Sequence, residues 1–363
     1  QLYKGGRWIY YRAHVGNFMR PTLAYPLDGQ AGTESSVILL GDGLGKTSQP
    51  VDWPTETGDW AFYPGEQGEQ PPSSLPLRVS SYPNALETAS KRIHPVPVAL
   101  NGIIASPGEE DVFEVTLAKD VSYRIRAFAR GNGSPLDSSV WIRHVDAEEP
   151  EATMDDATWI ARGKPVMPRG LQRPELLDGS MVFKAKADGT YRVGITDLRG
   201  LGGDRFVYRL EIEEARDVIH NHTVSWANDR FEINRTAGFI VPRNNRWTVN
   251  VYMAEAPGNT YQGPLRLIPV GLPPGVTMIA PDYKPGMKGV PCQFVAEPGA
   301  KPAARLFHIE LQRLDGEGGI ETSSQAYIPF INHSGGRSWN HVHLQNYAIG
   351  IVESSPFTIK VEQ

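Results

Sequence analysis

Carboxylates, imidazoles and aromatic rings are the residues here whose spacing could support chemistry. Glu109, Glu110 and Asp111 stand together, and a second acidic stretch carries Asp146, Glu148, Glu149, Glu151, Asp155 and Asp156. Calcium takes six to eight oxygen ligands from flexible acidic loops, so this composition permits a calcium site; a solvated acidic loop is the plainer account. His341–Val342–His343 puts two imidazoles on one face of a strand, with His333 a loop away. Three histidines with an open fourth position is a zinc pattern, against which stands an ordinary polar strand face. His220 and His222 repeat the spacing. Trp53, Trp60, Phe62 and Tyr63 lie close together among prolines. Trp53, Trp60 and Tyr63 could stack on sugar rings, or the rings could plug the open end of a small sandwich.

Other motifs exclude more than they propose. Gly41–Asp42–Gly43–Leu44–Gly45–Lys46–Thr47 resembles a phosphate-binding loop, but Leu40 occupies the place of its first glycine. A helix should follow such a loop, and Ser48–Gln49–Pro50–Val51–Asp52–Trp53–Pro54 cannot start one. A hairpin-type turn is expected instead. Cys292 is the sole cysteine, which excludes intramolecular disulfides and multi-cysteine metal sites. Its flanks, Val290–Pro291 and Gln293–Phe294, read as a strand with the thiol buried. No Gly-x-Ser-x-Gly elbow and no His-Glu-x-x-His helix occurs, so no catalytic residue is assigned. Sequons stand at Asn221, Asn234 and Asn332.

The elements that must position these groups are strands. Of 363 residues, 37 are Gly and 30 Pro, leaving little room for helices of ordinary length. Phe113, Val115 and Leu117 alternate with polar residues, as do Tyr123, Ile125 and Ala127, then Tyr191, Val193 and Ile195, then Phe206, Tyr208, Leu210 and Ile212. Period two with one apolar face fits a sandwich in which each sheet buries one side. Pro107–Gly108, Asn132–Gly133 and Asp188–Gly189 supply turns. The net charge of −5 and the lack of a Lys/Arg cluster argue against nucleic acid or an anionic membrane surface as partner. No apolar run reaches the ~20 residues of a membrane span.

Gly5–Gly6–Arg7–Trp8–Ile9–Tyr10–Tyr11–Arg12 matches Gly202–Gly203–Asp204–Arg205–Phe206–Val207–Tyr208–Arg209 without a gap. The second copy closes a domain, so the first reads as the last strand of a truncated one, with any targeting segment upstream. Residues 90–214 resemble the bacterial pre-peptidase C-terminal (PPC) domain. The resemblance rests on Pro97–Gly102, Pro107–Phe113, Gly133–Ser138, Asp188–Val193 and Tyr208–Leu210. The flanks, through Pro21–Gly32 and Gly271–Val276, resemble the Ig-like segments that accompany it in long exported proteins of planctomycete type.

The resemblance implies tandem β-sandwiches, a jelly-roll-like domain between two Ig-like ones. Residues 1–18 would be the stray strand, followed by domains at 19–89, 90–214 and 215–363. Calcium in comparable loops of the family would carry over to Glu110, Asp111, Asp155 and Asp156. The expected function is a non-catalytic structural or interaction array, extracellular, cell-surface or periplasmic, meeting other protein domains or surface polysaccharide. The alternative is the accessory region of an exported peptidase or polysaccharide-degrading enzyme.

Overall fold

The computed structural model describes residues 13–16, 18–66, 70–87, 92–158, 160–161, 175–176, 178–224, 238–255, 261–316, 320–333, 337–344 and 346–357. Gly5–Arg12, read above as a stray terminal strand, lies outside them. The architecture is all-β, as the turn-rich sequence requires. Among the described residues the helical structure is one 3-10 turn, Arg130–Asn132, and no helix is long and apolar enough to cross a membrane.

The chain divides into two compact units. Gln1–Asp156, Leu177–Gly179 and Phe183–Glu214 form the first; Ala157–Leu176, Ser180–Val182 and Ala215–Gln363 form the second. The first unit therefore contains the segment expected to end at 89 and most of that expected at 90–214, whose residues 157–176 and 180–182 fall in the second.

The first unit opens with a small sandwich. One sheet orders Leu23–Tyr25, Glu34–Leu40 and Thr47–Asp52; the other orders Asp28–Gln30, Leu75–Ser80 and Gly58–Phe62. Val37, Leu39 and Val51 meet Phe62, Leu75, Leu77 and Val79 in its core. Pro50 costs the ladder nothing because Thr47–Asp52 is an edge strand. The loop that resembled a phosphate site is the hairpin between Glu34–Leu40 and Thr47–Asp52. Gly41 and Gly45 take φ of +78° and +106° there, and Asp42 Oδ1 accepts from the Leu44 N–H at 2.8 Å.

A larger sandwich follows, and the alternating segments around Val115, Ile125, Val193 and Leu210 lie on its strands. Its first sheet orders Ala152–Met154, Ser138–His144, Gly189–Asp197, Glu110–Leu117 and Ile93–Pro95. The second carries, side by side, Ser122–Phe128, Val207–Glu214, Val98–Ile103 and Asn84–Leu86. Phe113, Val115, Leu117, Tyr191, Val193 and Ile195 from one sheet face Tyr123, Ile125, Tyr208, Leu210 and Ile212 from the other, all buried.

The second unit is another two-sheet sandwich. One sheet orders Val276–Ile279, Val290–Ala296, Asn245–Glu255, Asp217–Val224, Ile320–His333 and Arg337–Leu344. The other orders Gly238–Pro242, Tyr347–Val352, Ala303–Arg313 and Leu265–Val270. Phe294, Phe307 and Tyr347 pack ring against ring in the core. Asn221 is buried with its amide satisfied: Nδ2 donates to Ile309 O at 2.6 Å, and Oδ1 accepts from Tyr347 Oη at 2.6 Å. Its sequon is closed to a glycan. Cys292 is buried, as its flanks predicted.

Candidate functional site

The functional groups of the first unit gather where its two sandwiches meet. The strand Val207–Glu214 runs through the middle of a sheet, with Tyr208, Leu210 and Ile212 turned into the larger sandwich. Period two sends Val207, Arg209, Glu211 and Glu213 the other way. On a lone sandwich that face would meet water. Here the small sandwich covers it.

The covered face begins apolar and becomes ionic. Val207 packs with Leu23, Leu27 and Leu40, joined by Tyr25 and Ile103. Beyond it the Arg209 and Glu211 side chains are both 0% exposed. Arg209 donates from Nε to Glu211 Oε1 at 3.2 Å, from Nη1 to Asn84 Oδ1 at 2.5 Å, and from Nη2 to Ser80 Oγ at 2.6 Å. Asp28 Oδ2 lies 3.0 Å from Arg209 Nε but outside hydrogen-bond alignment. Arg78 of the small sandwich donates to Glu211 Oε1 at 3.2 Å and lies 4.7 Å over the Phe128 ring. Arg126 bridges Glu211 and Glu213, each at 3.0 Å, Arg124 holds Glu213 at 2.6 Å, and Tyr82 donates to Glu213.

At the rim of this junction three carboxylates converge. One oxygen each from Glu87, Glu109 and Asp111 lies within 4.8 Å of the others. Glu87 follows the strand Asn84–Leu86, which runs parallel to Val98–Ile103, and its N–H donates to Asn101 O at 2.7 Å. Glu109 is set by the Ser106 turn, whose N–H donates to Glu109 Oε2 at 2.6 Å. Asp111 takes an inward position on its strand and accepts from Tyr208 Oη at 2.6 Å. Gly102 leaves room for the Tyr208 hydroxyl and the Glu87 carboxylate, which a Cβ there would strike. Burial pushes the Asp111 carboxyl up to about 6; the Tyr208 bond opposes that, while Glu87 and Glu109 add to it. Tyr25, from the small sandwich, is pushed up to about 12 by burial and by Glu87 and Asp111. The adjoining recess, about 300 Å³, is also lined by Arg92 and His94.

Crowded carboxylates of this kind supply hard oxygen donors and repel one another until a cation or proton intervenes. They fit a hard divalent ion better than the set the sequence pointed to. Of that set only Asp111 belongs. Glu110, one residue along, turns outward and accepts from Trp141 Nε1 at 2.6 Å. Asp155 accepts from the Asp156 N–H, and Asp156 lies 3.8 Å from Arg130. Glu87 escaped notice because it precedes the first motif of the larger sandwich, and only sheet pairing brings it back.

Trp53 corrects the sugar-platform expectation. It is 3% exposed, donates from Nε1 to Ser35 Oγ at 2.7 Å, and forms an edge contact with Trp60 at 5.7 Å. A ring so enclosed is core and cannot stack on a sugar. Trp60 is half-buried against the same core, and Tyr63 is exposed. His341 and His343 pair in backbone register with Pro329 and Tyr327; their side chains, and that of His333, lie outside the described residues. His220 meets Ser323 through Nδ1, and His222 lies 5.6 Å from the Tyr252 ring.

No family model matches this chain, and no curated protein does. Solved structures similar to it include the pre-peptidase C-terminal domain of a Bacillus anthracis collagenase, at 13% identity and a TM-score of 0.24, matching 35% of this chain and 100% of that domain. Domains 1–6 of the surface layer protein SbsC match at 10% identity and a TM-score of 0.21, over 95% of this chain and 41% of that one. A Bacteroides ovatus protein of a mixed-linkage glucan utilization locus, solved with a mixed-linkage heptasaccharide, matches at 10% identity and a TM-score of 0.16, over 88% of this chain and 53% of that one.

Proposed function

We propose that this chain is a non-catalytic structural or interaction module of an exported protein. Its sandwiches act in series, holding loops and neighbouring domains at a set spacing outside the cell or at its surface. The observation that carries this reading is the junction within the first unit. The outward side of the strand Val207–Glu214, from Val207 through Arg209 and Glu211 to Glu213, is buried in docking the neighbouring sandwich. Closed cores joined through a buried face suit a part whose task is position.

A divalent cation, calcium above all, belongs at Glu87, Glu109 and Asp111 in this reading. There it would relieve the repulsion that raises Asp111 and tie the connecting strand to the larger sandwich. The test is activity together with cation response. The full chain releases no product from casein or soluble polysaccharides, and calcium raises its thermal midpoint over that in chelator. Asp111→Asn abolishes the rise. Sustained turnover, lost in Glu87→Gln or Glu109→Gln with the fold intact, would replace the module reading with an enzyme. No calcium shift in the wild type removes the cation but leaves the module.

Sugar binding is a narrower second reading, favoured by the exposed position of Tyr63 just past the strand Gly58–Phe62. A glycan panel decides it, with binding lost in Tyr63→Ala if it holds.

A further inference from the structure

The junction described above combines two kinds of contact with different physical properties. The apolar part, Leu23, Leu27 and Leu40 against Val207, attracts without direction. Were it alone, the small sandwich could pivot on it at little cost. The ionic part is directional. Arg209 is a planar fork whose nitrogens each meet a different acceptor: Glu211 on its own strand, Asn84 at the edge of the same sheet, and Ser80 from the covering side. Arg78 reaches the opposite way, from the small sandwich to Glu211, while lying over Phe128. Asn132 Nδ2 adds a bond across the junction to Pro76 O at 2.9 Å.

Burying such groups is a poor route to net stability, because the desolvation of each charge rivals what its pairing returns. Buried charges held against matched partners instead penalise other arrangements, since a slip separates a charge from its partner. We propose that this charge network is an orientation lock: it fixes the angle between the small and larger sandwiches, while the apolar patch holds them together. The lock makes the first unit a rigid spacer whatever its loops bind, and does not depend on the cation reading.

The test separates angle from adhesion. Cysteines introduced at the exposed Ser36 and Thr116 take spin labels, while the native Cys292 is buried. Pulsed electron resonance on the full chain gives a narrow distance distribution in the wild type. Asp28→Asn, Arg78→Met, Arg209→Met and Glu211→Gln together remove two guanidinium groups, the Glu211 carboxylate and the Asp28 carboxyl. This variant keeps its thermal midpoint within a few degrees, yet its distribution at least doubles in width. If it fails to fold, Arg209→Lys serves, since a single ammonium cannot reach three acceptors in the fork's geometry; it too broadens the distribution. A broad distribution in the wild type, or one that stays narrow in the variants, overturns the lock and assigns the angle to the apolar patch.

Discussion

Single residues decide much of the packing in the first unit, and glycines show it most directly. The Trp53 indole occupies the place where a side chain on Gly29 would begin. Trp53 is enclosed, so Gly29→Ala must displace a buried ring and is expected to cost about 1–3 kcal/mol, the range for overpacking. Gly43→Ala is the control: nothing lies within 4 Å of its added methyl, and its denaturation midpoint should hardly move. Urea unfolding of both variants checks the contrast.

Asp28 supplies a pH signature at the same scale. Burial pushes its carboxyl up to about 8, Arg209 and Arg78 opposing and Glu211 adding. In the unfolded chain it titrates at about 4. Between those values the folded state holds a proton that the unfolded state has lost, so stability falls as pH rises through the window. Glu211 runs the other way. Burial opposes its ionisation, yet Arg78, Arg209 and Arg126 hold it below its usual range. Its contribution is lost only as the solution becomes acid. Asp28→Asn copies the protonated form and should flatten the decline between about pH 5 and about pH 8.5, read from urea midpoints. An unchanged slope would mean that Asp28 is ionised at neutral pH.

At the scale of elements, the strand Val207–Glu214 shows what the sequence could and could not reveal. Its inward residues were legible from period two, and Leu210→Ala should cost about 2–5 kcal/mol by emptying part of a closed core, measurable by chemical denaturation. Its outward residues were not. Arg209, Glu211 and Glu213 alternate with apolar neighbours exactly as a solvent face would, because periodicity records which residues point apart and not what lies beyond them. The acidic site was half legible for the same reason. Glu109 and Asp111 sit in one motif, whereas Glu87 arrives through a parallel pairing that spacing along the chain does not encode. Trp53 was misplaced because a run of aromatics reads alike whether it plugs a core or lines a surface.

Across the whole molecule, each unit carries its own core, and the second has a built-in reporter. Cys292 marks the second unit, where burial alone pushes the thiol up to about 12. A thiol reacts as its thiolate, so a disulfide reagent should leave the native chain untouched and label it promptly once denaturant opens that core. Prompt labelling in native buffer would show that the core opens readily. The all-β class was legible from Gly and Pro alone. That the first two sandwiches form a single unit was not, since it depends on which faces meet.

The ionic face also governs what happens if the small sandwich detaches under strain or heat. A docking face built of hydrocarbon would then present a sticky sheet to every neighbouring chain. This one would expose the small apolar patch around Val207 beside a larger area of Arg124, Arg126, Arg209, Glu211 and Glu213, which water solvates readily. That charged area lowers the tendency of a detached molecule to stick to its neighbours before it closes again. Solubility of the opened form then protects the protein as well as firmness of the closed one.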